Sequence, residues 1–254
     1  MPTGADRGGE AECPGPFGMI ILAGGRARRL GGRDKPAMTV GKDTLLGAVV
    51  NAGAAAGARP IVVVGPARAG LSPDVGGVRF VRETPPGAGP VPALRRGLAE
   101  LAPSGLAPSE LDPSGVSPSG VGPSESAVPL VAVLAADLPF LRASHLRTLL
   151  RAAQDGAGAV LADDGGRPQW LAGCWQAAAL RAAAARYHGD SLRGLFAPLR
   201  PALVRLAPAE GQPPPWLDCD TPDDLRRARE LAGEQAADII QGELNTHGSS
   251  GRPG

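Results

Sequence analysis

Apolar residues recur along the chain in short unbroken blocks, separated by longer runs in which they fall every three or four positions. The blocks at Met19–Ala23, Pro60–Gly65, Val78–Arg82, Pro129–Ala135, Ala157–Ala162 and Trp170–Trp175 read as strands. The runs Thr44–Ala56, Val91–Leu101, Ser144–Gln154 and Gln176–Tyr187 read as helices. Strands alternating with helices predict an α/β chain, a mostly parallel but mixed sheet covered on both faces as a Rossmann-like three-layer sandwich. Ile61–Val64 and Val131–Leu134 are apolar without alternation, as expected of central strands buried on both sides.

The pattern fails in three places. Residues 1–17 and 234–254 are polar and read as disordered tails. Residues 103–126 repeat Pro-Ser with a five-residue period, which excludes both helix and central strand. That segment reads as an expanded surface insertion, because loop closure costs little more as a loop lengthens. The expectation is therefore one domain over 18–233, carrying the insertion 103–126.

Composition narrows the classes. The formal net charge of +1 marks no surface for nucleic acid, so any anion site must be local. Cys13, Cys174 and Cys219 are odd in number and widely spaced, which speaks against a disulfide framework or a zinc site and fits a reducing cytoplasm. The N-terminal stretch has no apolar core of a signal peptide, and no apolar run approaches the ~20 residues of a membrane span.

Four stretches carry chemistry. In Leu22–Pro36, four glycines and five cationic side chains are packed just past the first strand. Amides of Gly24 and Gly25 can cradle phosphate oxygens while Arg29 and Lys35 neutralise them. Of 26 basic residues only Lys35 and Lys42 are lysine, so a lysine in this loop points to a wanted point charge. The stretch has neither GxGxxG nor GK[ST], so it is neither a dinucleotide fingerprint nor a P-loop. Its bland alternative is a glycine-rich turn with a solvated basic face.

The second stretch, Ala135 to Phe140, places Asp137 where a buried strand ends, the edge at which open α/β sheets bind ligands. One carboxylate there suffices for a magnesium shared with phosphate oxygens. The alternative is a cap for the next helix, for which Ser144 is better placed. In the third, Glu83 and Pro86–Leu94, a tight loop around Gly89 delivers a helix N-terminus, either an anion or base-edge site or a plain connector. The fourth, Asp218-Cys219-Asp220-Thr221-Pro222, reads as a helix start with Asp220 or Thr221 as cap, or as an Asp-x-Asp metal motif. Trp170 opens an apolar strand, where tryptophan is more often core than ligand platform.

LAGG, Arg29, Gly31-Gly32 and Asp34-Lys35-Pro36, taken in order, resemble the signature of the nucleotidyltransferases related to molybdenum cofactor guanylyltransferase. The likeness runs over most of residues 19–230. It implies a nucleotide-diphospho-sugar-transferase-like fold and a nucleotidyl transfer from GTP to the phosphate of molybdopterin, releasing pyrophosphate. It assigns Leu22, Ala23 and Gly24 to base and ribose, Arg29 to the phosphates and Lys35 to the α-phosphate. Asp137 becomes the Mg2+ ligand, Glu83 stands where the family often has an Asp near the nucleotide, and the segment around Gly89 closes over the purine. Trp170, Asp218 and Asp220 fall near the acceptor, and a molybdoenzyme or its chaperone is an implied partner. Val64-Gly65-Pro66 offers no side-chain donor where a relative has Asn, so the base is not carried over. A cytidylyltransferase, another nucleotidyltransferase, or a non-catalytic nucleotide-binding module stays open.

Overall fold

The computed structural model describes residues 15–24, 34–68, 77–102, 128–207 and 212–233. Residues 1–14 of the expected N-terminal tail, the C-terminal tail and the Pro-Ser insertion lie outside these residues, as do Gly25 and Arg29; the tail expectation fails at its end, because Phe17 is buried and opens the first strand.

The order of elements is β1 (Phe17–Leu22), a 3-10 turn (Lys35–Ala37), β2 (Thr39–Val40), β3 (Asp43–Thr44), α1 (Leu45–Ala56), β4 (Ile61–Val64), β5 (Val78–Val81), α2 (Pro90–Glu100) and β6 (Leu130–Ala135). It continues with α3 (Ala143–Ala152), β7 (Gly158–Ala162), β8 (Pro168–Gln176), α4 (Ala177–Arg186), α5 (Leu192–Phe196) and β9 (Ala202–Arg205). A last helix, α6, covers 222–233. All six strand blocks and four helical runs read from the sequence are present, with ends moved by one or two residues at most places. The hairpin β2–β3, the short α5 and the strand β9 were not foreseen.

Seven strands form one sheet in the order β5-β4-β1-β6-β8-β7-β9. β5, β4, β1 and β6 run parallel, and β8 is antiparallel to both its neighbours. The chain builds outward from β1 to β4 and β5, then crosses back through α2 to place β6 on the other side of β1. That reversal makes the β1–β6 seam a topological switch point, where a crevice opens beyond the strand ends.

Successive residues of the central strands feed two cores. Met19, Ile21, Val63, Ala132 and Leu134 pack with Leu46, Val49, Leu146 and Leu149 under α1 and α3. Ile20, Val62, Val131 and Val133 face the other way, onto Leu94 and Leu98 of α2, Leu180 of α4 and Phe196 of α5. With both faces covered, the unbroken apolar character of these strands has its explanation. Helix boundaries follow local chemistry. Thr44 Oγ1 accepts from Gly47 N at 3.0 Å to start α1, and Gly57 at φ 95° ends it.

A third, smaller cluster matters most for function. Leu225 and Ala228 of α6 pack with Val40, Leu45, Phe140 and the buried Cys219. The C-terminal helix is thereby seated across the hairpin and the loop after β6, on the ligand edge of the sheet. Among the described residues, no helix is long and apolar enough to cross a membrane.

Candidate active site

The strand register brings the chemistry-bearing loops together. Leu22 pairs with Ala135 at the ends of β1 and β6, and with Val64 at the end of β4. The chain leaving β1 returns at Asp34 and makes a single 3-10 turn in which Pro36 follows Lys35. The chain leaving β6 turns at Ala136-Asp137. Lys35 Nζ donates to Asp137 Oδ2, in an ion pair that spans the switch point. It also donates to Asp220 Oδ1 at 2.7 Å.

Three distant segments thus converge on one ammonium. Lys35 and Asp137 are 16% and 15% exposed, and Asp220 is 51% exposed, so the ammonium sits at the surface of the switch point, open to solvent on the Asp220 side. Partial burial works against the charged form of Lys35, but the charges and hydrogen bonds of Asp137 and Asp220 outweigh it and hold its pKa above the ordinary lysine value. Asp218 stands beside the pair. Desolvation raises its pKa, and negative Asp220 and Asp137 raise it further.

Asp220 is available for this role because it is not the cap. Thr221 starts α6: its Oγ1 accepts from Asp224 N at 3.1 Å, while Asp224 Oδ2 accepts from Thr221 N at 2.8 Å. Nor does Asp137 cap α3, and Ser144 does not either, contrary to expectation. That helix begins at Ala143, and His145 Nδ1 accepts from Arg142 N at 3.1 Å. A histidine three residues in can reach the first amide, whereas Ser144 already lies inside the first turn.

On the β4–β5 side of β1, Ala23 N donates to Val64 O at 2.9 Å and Gly65 N to Val81 O at 2.8 Å, which ties the ends of β1, β4 and β5 together. A Cβ on Gly65 would stand 2.9 Å from the Ala23 carbonyl carbon and oxygen. The glycine is required by that close approach. Glu83, buried at 8% exposure, accepts from Gly87 N through Oε1 at 2.8 Å. Its carboxylate holds the loop that ends at Gly89, whose φ of 113° starts α2. A Cβ on Gly24 would lie 3.9 Å from the same Oε1, so Glu83 and Gly24 face one another.

One residue at this edge went unforeseen. Arg68 Nε donates to Asp34 Oδ1 and Oδ2 at 3.1 and 2.8 Å, and its Nη2 donates to Asp34 Oδ1 at 2.8 Å and Ala23 O at 3.2 Å. A side-chain donor does follow β4, then, but it is turned toward the lysine turn. A basic residue four positions past a buried strand on the ligand edge was the signal for it.

Trp170 is the site residue that stands apart. The register of β8 puts it at the same sheet edge, yet its ring packs on the second core beside Phe196, centroids 6.4 Å apart. Cys219 is buried between Asp218 and Asp220, with its thiol pushed up to about 12, and Cys174 is buried in the first core. Among the described residues, no three His, Cys, Asp or Glu side chains form a self-sufficient metal cage.

A doubly covered sheet with cation and carboxylates gathered at its switch point has its charged side chains where open α/β sheets bind their ligands. Residues 19–206 match the family of MobA-like NTP transferase domains, and the chain belongs to that family of nucleotidyltransferases. A probable molybdenum cofactor guanylyltransferase from Opitutus terrae is 32% identical over 141 residues, 56% of this chain and 57% of that protein. The chain therefore spans little more than half the length of this curated relative. Solved structures that share the fold include the 2-C-methyl-D-erythritol 4-phosphate cytidylyltransferase of Thermus thermophilus (TM-score 0.55, 21% identity, 85% of this chain, 98% of that one) and a manganese complex of Rv0371C from Mycobacterium tuberculosis (0.56, 22%, 85%, 98%).

Proposed function

We propose that this chain catalyses nucleotidyl transfer, moving GMP from GTP to the phosphate of a molybdopterin-type acceptor. The observation that carries the reading is Lys35 held between Asp137 and Asp220 at the β1–β6 switch point. In this reaction an acceptor phosphate oxygen attacks the α-phosphorus, the new P–O bond forms, and the bond to the β-phosphate breaks to release pyrophosphate. The attacking oxygen is already anionic, so no strong general base is needed. Positioning and charge neutralisation are the protein's part.

Lys35 would neutralise the α-phosphate, and Arg29, which lies outside the described residues, the phosphates. Leu22, Ala23 and Gly24 line the nucleotide at the end of β1, and Glu83 fixes the loop around Gly89 that closes over the base. The donor set fits a hard dication: Asp137 and Asp220 already converge on one cation, and magnesium takes one or two carboxylates together with phosphate oxygens and water. When bound, Mg2+ would neutralise charge on the triphosphate and leaving pyrophosphate. Asp218 would face the acceptor, while Trp170, at the same sheet edge, has its ring packed on the second core.

The experiment is a pyrophosphate-release panel with GTP, CTP, ATP and UTP in Mg2+, with and without molybdenum-loaded molybdopterin. Release from GTP only when the pterin is present is the expected result. Release from CTP with another phosphate acceptor would favour the cytidylyl reading, which the Thermus fold neighbour and the side-chain-poor Gly65-Pro66 turn make the second choice. Nucleotide-induced thermal shifts without release would make the chain a binding module.

A further inference from the structure

The Asp34 carboxylate precedes a 3-10 turn but does not cap it, for no side-chain cap bond is made. It goes wholly to Arg68, which meets it with a two-pronged guanidinium contact. Arg68 is itself fixed. Its side chain is only 9% exposed, Nη1 donates to Pro66 O at 3.2 Å, and Nη2 reaches Ala23 O at 3.2 Å. One guanidinium thus joins the chain as it leaves β1 to the chain as it returns before Lys35, and ties both to the turn after β4.

Lys35 is the next residue after Asp34, so the direction of the turn sets where its Cα lies and from which side its stem approaches Asp137 and Asp220. Pro36 and the bond from Ala37 N to Asp34 O, 3.0 Å, stiffen that turn from the other side. We propose that Arg68 is a positioning residue: by clamping Asp34 it aims the Lys35 ammonium at the Asp137–Asp220 pair and hence at the reacting phosphate. The last clause rests on the nucleotidyl-transfer reading. The placement of Lys35 does not.

Lysine methylation by [13C]formaldehyde on the full chain tests the two parts separately. Only Lys35 and Lys42 carry lysine side chains, so Lys42→Arg assigns the dimethyl-lysine signals, and the α-amino signal is set apart by its titration at about pH 8. At one fixed pH the position and width of the Lys35 signal report its two carboxylate partners. In Arg68→Met and Asp34→Asn that signal is expected to shift away from its wild-type position. On unmethylated protein, kcat for pyrophosphate release should fall about 10- to 100-fold with KM for the nucleotide changed less than about threefold. The double variant should be no worse than the worse single one, because both remove the same contact. Arg68→Lys keeps the charge without the fork and should lie between; it carries the test if Arg68→Met does not fold. A Lys35 signal that stays put in these variants overturns the proposal, whether or not turnover falls. A signal that moves, in a protein whose wild type releases no pyrophosphate, upholds the clamp and removes the catalytic reading.

Discussion

Gly65→Ala isolates one distance. The added methyl would lie 2.9 Å from the carbonyl carbon and oxygen of Ala23 and 3.2 Å from its Cβ. Ordinary carbon contacts are about 3.5–4.0 Å, so the overlap is roughly 0.6–1.1 Å. It falls on backbone that cannot rotate away, since Ala23 is bonded to Val64 and Gly65 to Val81. Overpacking of this kind costs about 1–3 kcal/mol, and the stiffer unfolded chain returns about 0.4–1 kcal/mol. With the middle of each range, the net loss is about 1.3 kcal/mol. At about 2–4 °C per kcal/mol for a chain of this size, the melting temperature should drop by about 3–5 °C in a thermal scan. The parting of β1 from β4 also displaces Ala23 and Gly24, so KM for the nucleotide should rise more than kcat falls. Gly156→Ala is the control: nothing lies within 4 Å of its Cβ, and its melting should change little. Gly65→Ala that melts within about a degree of wild type and binds nucleotide normally would refute the packing argument.

Further outcomes follow from the same geometry. Lys35→Met removes a cation that competes with a metal for Asp137 and Asp220, so Mn2+ alone should bind the variant at least about tenfold more tightly by paramagnetic titration while turnover is lost; weaker Mn2+ binding would contradict this. His145 has a lowered pKa, from burial first and then the Arg142 charge. The unfolded chain therefore takes up a proton that the native one resists. Stability should fall as pH drops below about 6.5 and level off below the native pKa, and His145→Asn should flatten that limb in melting scans from pH 8 to 5. Thr221→Val deletes the α6 cap and should cost about 1 kcal/mol, read as a lower melting temperature; an unchanged melt would place the start of α6 elsewhere.

Much of the fold was legible because β1, β4 and β6 are buried on both faces and say so in every residue. β9 was not, since Ala202, Leu203 and Arg205 on this edge strand are exposed and carry no pattern. β2 and β3, at two residues each, and α5, at five, are too short for periodicity to show. Asp137 was recognisable from its position at a strand end, and Lys35 as one of two lysines, set in a glycine-rich basic loop. What joins them to Asp220 was not, because 185 residues separate it from Lys35 and only the packing of α6 through Cys219 and Leu225 closes the distance. Local reading left Asp220 as cap or ligand; the Thr221–Asp224 pair decides it by taking the cap. Arg68 escaped notice for a similar reason. Its partner Asp34 lies 34 residues away, and the pairing depends on the register of β1 with β4.

The most direct measurement is single-turnover pyrophosphate release by Asp137→Asn, with its melting temperature recorded beside the wild type. The substitution keeps the shape and removes the charge that faces Lys35 and would face the proposed metal. The account predicts a loss of about 10²–10³-fold with the fold intact, the size expected when one preorganised charge leaves a phosphoryl-transfer site. Release within about threefold of wild type, from a protein that is folded and saturated with nucleotide, would contradict it.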